Sequence, residues 1–376
     1  MNTLKELSKY GQSYWLDNLT RGKIQSGELA TRIEKEGLRG ITSNPSIFQK
    51  AITKSDDYDD QIRELTQAEK TADDIYEAVV VKDVQDACDV LRPVYDGTNG
   101  VDGYVSLEVS PYLAHDTKGT ITEARRLSRQ VNRPNCFIKI PGTPAGIPAI
   151  EESLYEGINV NITLLFSVER YEDVAWAYIR AMERRAAEGM SLENVASVAS
   201  FFLSRIDVLV DQLMAHRSKC TEDAELVEIA EDVQGEVGIA AAKMAYQSFR
   251  YIFGTSRWKI LENMGAKVQR PLWASTSTKN PEYSDVRYVE NLIGEETVNT
   301  MPDETIKAFL DHGKVVANTV EEGIDQADFI LFSLYDAGID YNYIDQRLTD
   351  EGIQKFIDPF DNLMDTIEAK RQKFLN

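Results

Sequence analysis

The chain has 376 residues, and its 62 acidic and 41 basic side chains give a formal net charge of −21 at pH 7. Nucleic acid and anionic membrane surfaces are therefore excluded as expected partners, because both would be repelled, and any anionic substrate needs local cations. The length suits one α/β barrel with insertions as well as two separate domains.

The sequence contains no pattern typical of a metal site, a disulfide framework, a signal peptide or a membrane helix. Cysteine and histidine number three each, are widely separated and show no HxxH or HExxH spacing, so neither a disulfide framework nor a zinc site is indicated. We expect no metal and no cofactor, and chemistry based on lysine, carboxylates and hydroxyls. Residues 1–12 contain no apolar signal core, and no apolar run reaches the roughly 18 residues of a membrane helix. A soluble, cytoplasmic protein is expected. The scattered residues are Cys88, Cys136, Cys220, His115, His216 and His312.

Two predicted strands open the chain and end on polar residues. Strands over 13–18 and 38–42 flank a helical pattern over 25–37, which is the spacing of a parallel unit. Asp17 is a candidate functional residue at the first strand end, and an Asx turn or a helix N-cap is the alternative. Asn44 precedes Pro45, which favours an extended backbone and an amide aimed away from the strand. An ordinary Asn-Pro turn is the alternative there.

The next two predicted strands each carry one charge in apolar surroundings. Residues 49–94 are acidic and helical, and we interpret their charges as solvated faces. The strand over 103–111 contains Glu108, and after a helix over 122–130 the strand over 135–143 contains Lys139. An ammonium inside such a strand loses its hydration, which favours the free amine that an imine-forming nucleophile needs. A paired or snorkelling lysine is the alternative.

The recurrence of acid, acid and amine at comparable positions in three strands favours a barrel. In a parallel (β/α)8 barrel the catalytic groups project from the carboxyl ends of different strands and meet above one packed core. Three unrelated buried charges would each cost several kcal/mol, whereas converging charges can satisfy one another. The predicted fold is therefore an α/β fold, a (β/α)8 TIM barrel.

The fifth and sixth predicted strands add further polar candidates. A helix over 145–155 leads to a strand over 158–167, in which Asn161 and Thr163 lie on one face because they are two residues apart. A helix over 168–188 and a strand over 195–202 follow. Arg205 lies just beyond that strand and is a candidate phosphate clamp. An ion pair with Asp207 or another acid is the alternative.

The remainder of the chain completes a single predicted domain. A long helical stretch over 224–251 precedes a strand over 271–275 and a hydroxyl-rich loop over 276–281, which suits an anion or is a plain flexible turn. A weak strand over 297–301 and a helix starting at Pro302 follow. Residues 320–376 predict two or three helices with breaks at Gly338 and Gly352. We predict a helical insertion at about 49–95 and a C-terminal helical extension at about 320–376.

Six sequence motifs follow one another along the chain: SYWLDN, GITSNPS, SLEVSP, FIKIPGT, NVNITLLFS and SFFLSRID. In this order they closely resemble the transaldolase family, in its longer form with extra helices. The resemblance runs from Trp15 to about Asn280. It implies that Lys139 forms a Schiff base with the ketose carbonyl. It also implies that Asp17 acts as general base and acid, and that Glu108 and Thr163 hold and activate water.

The resemblance also assigns substrate contacts. Three residues are implied to hold the three-carbon dihydroxyacetone unit; they are Asn44, Asn161 and Ser200. Arg205 matches the family's phosphate arginine. The common form has a serine and an arginine close together after the seventh strand, whereas this chain has Ser275 and, after a longer loop, Lys279. A lysine lacks the fork geometry of a guanidinium, so substrate affinity or preference is expected to differ.

The resulting expectation is a transaldolase of the pentose phosphate pathway. It would transfer a dihydroxyacetone unit reversibly from sedoheptulose 7-phosphate to glyceraldehyde 3-phosphate, giving erythrose 4-phosphate and fructose 6-phosphate. The alternatives are an aldolase that releases free dihydroxyacetone, and a phosphosugar-binding barrel without turnover. A scaffold role for the helices over 49–94 and for the C-terminal tail is a further hypothesis. Sugar phosphates are the expected partners, and a homo-oligomer is compatible with the sequence.

Overall fold

The computed structural model describes residues 2–375, and its strands form one closed parallel barrel in the order β1 to β8. Each strand pairs with its sequence neighbours, and β1 pairs with β8 to close the ring. This topology confirms the predicted (β/α)8 barrel. The strands are β1 Gln12–Leu16, β2 Gly40–Ile41, β3 Tyr104–Glu108, β4 Cys136–Pro141, β5 Val160–Leu165, β6 Ser197–Phe202, β7 Arg270–Ala274 and β8 Thr297–Met301.

Helices surround the barrel and continue beyond it at the C-terminal end of the chain. Within residues 2–375 no helix is both long and apolar enough to cross a membrane. The helices are α1 Thr3–Leu7, α2 Arg21–Gln25, α3 Glu28–Glu36, α4 Pro45–Lys54, α5 Asp59–Gln67, α6 Ala72–Gly97, α7 Thr117–Val131, α8 Gly146–Tyr155, α9 Val168–Ala187, α10 Ser204–Lys219, α11 Ala224–Val233, α12 Val237–Ile252, α13 Ser256–Asn263, α14 Arg287–Glu290, α15 Asp303–His312, α16 Ile324–Asp336 and α17 Tyr341–Leu375.

Aromatic side chains fill the barrel interior below the polar level. The rings of Tyr104 and Phe137 stack with their centroids 4.1 Å apart, and Trp15 lies 6.1 Å from Phe137. A Cβ atom on Gly40 would lie 2.4 Å from the Trp15 ring, so only glycine fits in β2 beside this side chain. This aromatic layer packs directly beneath the layer of polar inward-facing side chains.

The strand register brings two charged side chains and one amide side chain of three neighbouring strands to one level. Glu108 at the end of β3 is the register partner of Lys139 in β4, and Lys139 is the partner of Asn161 in β5. Asp17 directly follows β1, and its backbone N–H donates to the Met301 carbonyl at the end of β8. All four residues therefore lie at the carboxyl-terminal mouth of the barrel.

Several predicted helix boundaries are wrong, and glycine geometry explains two of them. The predicted helix over 25–37 is two helices, because Gly27 adopts φ +77°, a left-handed conformation that interrupts the first helix. The stretch over 224–251 is likewise divided between α11 and α12 near Gly235, which has φ +70°. The helix predicted over 122–130 begins earlier, where Asp116 caps it by accepting a hydrogen bond from Gly119 N–H.

The predicted break at Gly352 is wrong, because α17 continues through it to Leu375. Glycine costs only about 1 kcal/mol in a helix interior, which tertiary packing can offset. A Cβ atom on Gly352 would lie 2.8 Å from Leu164 Cδ2 and 3.4 Å from Arg205 Nη1. The glycine therefore allows the helix backbone to pack closely against the mouth of the barrel. The break at Gly338 occurs as predicted, with φ +68° between α16 and α17.

Candidate active site

Lys139 is the only residue of β4 whose side chain carries a charge, and it is 4% exposed. Its Nζ lies 3.6 Å from Glu108 Oε2 and donates a hydrogen bond to the Ser43 carbonyl at 3.2 Å. Lys139 is therefore paired, as the alternative interpretation predicted, and its role as a nucleophile stays a prediction. Lys139 also lines a cavity of about 630 Å³ at the barrel mouth.

This cavity, which we call the front cavity, brings together most of the candidate residues. Its volume is within the range of small-molecule sites. Three further candidates lie outside its lining: Asn161 and Thr163 are fully buried below it, and Glu108 lines a different cavity. The candidates that line the front cavity are Lys139, Asp17, Asn44, Ser200, Arg205, Ser275 and Lys279.

Asp17 is held by a threonine pair at the strand ends. Thr42 Oγ1 donates to Asp17 Oδ1 at 2.7 Å and lies 2.7 Å from Thr300 Oγ1. Burial raises the pKa of Asp17, and the charge of Lys139 and the hydrogen bond from Thr42 oppose that rise. The alternative role as a helix cap is not observed, because Thr20 caps α2 by accepting from Lys23 N–H at 3.2 Å.

Glu108 is a buried carboxyl whose pKa lies near neutral pH. Burial raises its pKa to about 7, and the neighbouring Lys139 charge opposes the rise. Among residues 2–375, no donor lies within hydrogen-bond distance of its Oε2 atom. Thr163 Oγ1 is also buried, and it too has no hydrogen-bond partner among the residues that the structure describes. A carboxyl with such a pKa can both accept and donate a proton at pH 7.

A chain of polar side chains crosses the barrel mouth between β3 and β6. Ser200 Oγ donates to Asn161 Oδ1 at 2.7 Å, and Asn161 Nδ2 donates to Ser106 Oγ at 3.0 Å. The oxygen and the nitrogen of the Asn161 side-chain amide are thereby both held in place by hydrogen bonds. Asn44 caps α4, since its Oδ1 accepts from Ile47 N–H at 3.1 Å, and it also lines the front cavity. Asn44 therefore both caps α4 and lines the candidate site.

Arg205, in the first turn of α10, is a buried cation with spare donor capacity. Its Nη1 group has no hydrogen-bond partner among residues 2–375. Its guanidinium lies 5.1 Å from the ring centroid of Phe202. Burial lowers its pKa. The predicted alternative, an ion pair with Asp207, is not formed, because Asp207 instead accepts from Tyr288 Oη at 2.5 Å and from Gly238 N–H at 2.6 Å.

The opposite wall of the front cavity adds hydroxyls and further cations. Ser275 Oγ lies 2.8 Å from Ser204 Oγ, and Lys279 Nζ donates to Ser277 Oγ at 2.6 Å. Burial lowers the pKa of Lys279. Lys50 and Lys54, on α4, also line the cavity, although the sequence analysis did not select them. The cavity lining thus carries five cationic side chains together with four acidic ones, which are Asp17, Asp57, Asp303 and Glu304.

Phe356 of α17 is another residue that the sequence analysis missed. It lines the front cavity, and its ring centroid lies 5.5 Å from Lys139 Nζ and 6.0 Å from the Arg205 guanidinium. These distances suit cation–π contacts. Nothing local in the sequence around position 356 differs from an ordinary amphipathic helix, so only the fold could reveal this contact.

The arrangement places an amine, a carboxyl and a guanidinium around the front cavity, and it places a second carboxyl, that of Glu108, beside the amine. No group of three or more histidine, cysteine or carboxylate side chains in residues 2–375 is arranged to hold a metal ion. A primary amine beside a carboxyl of neutral pKa is suited to forming and hydrolysing an imine. Asp17 provides a second proton acceptor at the same mouth, and Arg205 provides a fork for phosphate.

Comparison with known proteins identifies the family. A profile described as Transaldolase/Fructose-6-phosphate aldolase matches residues 14–367. The chain is 52% identical over 375 residues to a Transaldolase of Trichodesmium erythraeum, covering 99% of this chain and 98% of the relative. It is 51% identical over 373 residues to a Transaldolase 2 of a Nostoc species, covering 98% of each chain. It is 44% identical over 372 residues to a Transaldolase 2 of Streptomyces avermitilis, covering 99% and 98%. The chain therefore belongs to the transaldolase/fructose-6-phosphate aldolase family, which confirms the resemblance.

Proposed function

We propose that this protein is a transaldolase that moves a dihydroxyacetone unit between sugar phosphates. The donor is sedoheptulose 7-phosphate or fructose 6-phosphate, and the acceptor is glyceraldehyde 3-phosphate or erythrose 4-phosphate. The observation that carries the proposal is the buried amine of Lys139, 3.6 Å from Glu108, in a cavity also lined by Asp17 and Arg205. The family membership and the names of the relatives support the same activity.

In the first step, Lys139 Nζ adds to the C2 carbonyl of the ketose. Loss of the resulting hydroxyl as water needs a proton, which Glu108 gives, and hydrolysis of the imine returns that proton to Glu108. The raised pKa of Glu108, about 7, suits both directions. We assign to Thr163 the holding of the water involved, because its buried hydroxyl is free to bond to it.

In the second step, Asp17 takes the proton of the C4 hydroxyl. The C3–C4 bond then breaks, its electrons pass to the protonated imine, and an aldose phosphate leaves. The acceptor aldehyde reacts in reverse, and Asp17 returns the proton to the new hydroxyl. Burial raises the pKa of Asp17, which makes its carboxylate a stronger base than an exposed aspartate.

The remaining candidates hold the substrate. We assign Asn44, Asn161 and Ser200 to the hydroxyls of the three-carbon unit, because the Ser200–Asn161 hydrogen bond fixes both groups at the level of Lys139. Arg205 is assigned to the phosphate, with Ser275 and Lys279 as further contacts.

The setting of the enzyme is part of the proposal. Its partners are sugar phosphates, and neither nucleic acid nor a membrane is needed for the reaction. We place it in the cytoplasm, and the free thiols of Cys88, Cys136 and Cys220 support a reducing compartment. Self-association is compatible with the proposal and is not required by it.

Product analysis tests the proposal against its alternatives. Purified protein is incubated with fructose 6-phosphate, with and without erythrose 4-phosphate, and the products are separated. A transaldolase gives sedoheptulose 7-phosphate that depends on the acceptor. Free dihydroxyacetone formed at the same rate without acceptor would indicate an aldolase instead. Binding of fructose 6-phosphate without any product would indicate an inactive barrel and contradict the proposal.

A further inference from the structure

A second cavity lies behind the active-site carboxyl. It has a volume of about 220 Å³ and is bounded by α6, α7, α17 and the end of β3. Exposed side chains of Asp73 and Arg126 line it at the protein surface, and Glu108 lines it in the interior. We call it the rear cavity. It therefore extends from solvent to Glu108.

The Glu108–Lys139 pair separates the two cavities. Lys139 lines the front cavity, Glu108 lines the rear cavity, and the two charged groups lie 3.6 Å apart. The side chains of Lys139 and Glu108 are 5% and 7% exposed. A small molecule can thus reach Glu108 through the rear cavity while a sugar phosphate occupies the front cavity.

We propose that the rear cavity is a water site, through which the enzyme releases and regains the water molecule of imine formation and hydrolysis. This inference rests on the proposed function. Each reaction cycle expels one water when Lys139 condenses with the ketose and takes one up when the product is released. We expect a seven-carbon sugar phosphate in the front cavity to block the direct route from Glu108 to solvent, because Lys139, the partner of Glu108, lines that cavity.

Glu108 gives a proton when water leaves and regains one when water enters. Lys139 Nζ forms a bond to C2, the C2–OH bond breaks, and the hydroxyl leaves as water with the proton given by Glu108. In hydrolysis, water forms a bond to C2 and gives one proton to the Glu108 carboxylate. The C2–N bond then breaks as the remaining proton of the new C2 hydroxyl passes to the amine, which leaves a C2 carbonyl, a neutral Lys139 and a protonated Glu108. Glu108 Oε2, which accepts no hydrogen bond from residues 2–375, is free to face that water.

The rear cavity has the size and polarity that water needs. A volume of about 220 Å³ exceeds the ~30 Å³ that one water takes in the liquid several times over, and ordered water needs polar partners. Ser110, Tyr76 and Glu77 provide such partners along the lining. Tyr76 and Glu108 line the same cavity, and burial together with the Glu108 charge raises the pKa of Tyr76. Phe360 forms the apolar part of the wall, with its ring 5.3 Å from Tyr76.

Filling the rear cavity tests the proposal. Val81→Phe on α6 and Ser110→Leu after β3 each place bulk in the lining from a different element. Val316→Phe, at a valine that is 51% exposed, is the matched control. Each variant is checked by circular dichroism and thermal unfolding. Two rates are then measured: loss of ¹⁸O from C2-labelled fructose 6-phosphate, and appearance of the borohydride-trapped adduct after rapid quench.

The expected result is that both cavity-filling variants slow ¹⁸O loss and adduct formation by tenfold or more. The ratio of cleaved to uncleaved adduct at equilibrium should stay at the wild-type value, because carbon–carbon cleavage needs no water. Wild-type rates in a folded Val81→Phe and a folded Ser110→Leu would overturn the rear route alone. Absence of any adduct in the wild-type protein would overturn the proposed function as well.

Discussion

At the scale of single residues, the proposed chemistry depends on one pair. Lys139 and Glu108 are register partners on neighbouring strands, and no residue intervenes between their side chains. Burial opposes the charge of Glu108, whereas the neighbouring charge of Lys139 favours it. The outcome for Glu108 is a pKa of about 7, at which the carboxyl exchanges protons readily under physiological conditions.

Replacing Glu108 by glutamine should remove this proton exchange. We expect kcat for dihydroxyacetone transfer to fall by about 10²- to 10⁴-fold, the usual size of a general acid–base contribution. The wild-type profile of kcat/KM against pH, which reports groups of the free enzyme, should show an inflection near pH 7 that Glu108→Gln lacks. Glu64→Gln, at an exposed position on α5, should leave the profile unchanged. An inflection that persists in Glu108→Gln would assign it to another group.

Replacing Arg205 by lysine should weaken phosphate binding while keeping the charge. Lysine cannot bind phosphate through a two-pronged fork, so KM for fructose 6-phosphate should rise about tenfold, equal to roughly 1.4 kcal/mol, with a smaller change in kcat. The measurement compares kcat/KM for fructose 6-phosphate with kcat/KM for unphosphorylated fructose. An unchanged ratio between the two substrates would remove Arg205 from the phosphate site.

At the scale of elements, the sequence predicted the strands better than the helices. All eight strands lie within or overlap the predicted segments, because each is an apolar run bounded by turn residues. The candidates at strand ends were found for the same reason, since a charge in an apolar run is conspicuous. The Leu38–Thr42 strand is shorter than predicted, with two residues in β2, because the chain must turn at Ser43 and Asn44 to start α4.

Helix α17 illustrates what the sequence could not provide. Its Gly352 suggested an end, yet the glycine serves close packing against Leu164 and Arg205. Its Phe356 and Phe360, one turn apart, line the front and rear cavities respectively. Contacts of this kind join residues that are between 147 and 284 positions apart in the chain, and local periodicity carries no information about them.

Phe356→Leu tests whether the aromatic face over Lys139 and Arg205 matters. Leucine retains apolar bulk but removes the ring quadrupole, and cation–π contacts contribute about 0.5–2 kcal/mol. We expect kcat/KM for fructose 6-phosphate to fall by roughly 3- to 30-fold while the fold is retained. Phe332→Leu, at a phenylalanine that is 58% exposed on α16, is the matched control. Equal activity of both variants would show that Phe356 only fills space.

At the scale of the whole molecule, charge is distributed unevenly. The chain carries a net charge of −21, yet Lys50, Lys54, Lys139, Arg205 and Lys279 line one cavity. Low-dielectric walls focus the field of these cations on an anionic ligand inside the cavity, while the surrounding surface repels polyanions. The composition predicted that local cations must exist. Only the fold could identify Lys50 and Lys54, because they lie on a helix that looks solvated from its sequence.

Buried carboxyls should make the protein less stable as the pH rises from 5 to 8. Burial raises the pKa of Glu108 to about 7 and that of Asp207 to about 6, above their ordinary values of 4.5 and 3.8. The folded state therefore holds more protons than the unfolded state in this window. The stabilisation is complete below about pH 4 and is lost as the pH rises through 6 and 7. Carboxyls with lowered pKa, such as Asp303, lose their contribution only at more acidic pH.

Thermal unfolding at pH 5, 6, 7 and 8 and constant ionic strength measures this effect. The midpoint should fall steadily across the series, and the growing net negative charge acts in the same direction. Added salt should recover the part that is due to surface repulsion and leave the part due to buried groups. A midpoint that rises between pH 5 and 8 would contradict the raised pKa values.

The most direct measurement for the central claim is the identity of the residue that bonds to the substrate. The wild-type protein is treated with fructose 6-phosphate and borohydride, digested and mapped by mass spectrometry, with Lys139→Arg as the control that keeps the charge but cannot form an imine. The account predicts one modified peptide, the one that contains Lys139, and its complete absence in Lys139→Arg. A reduced adduct on another lysine, or one that survives in Lys139→Arg, would contradict it.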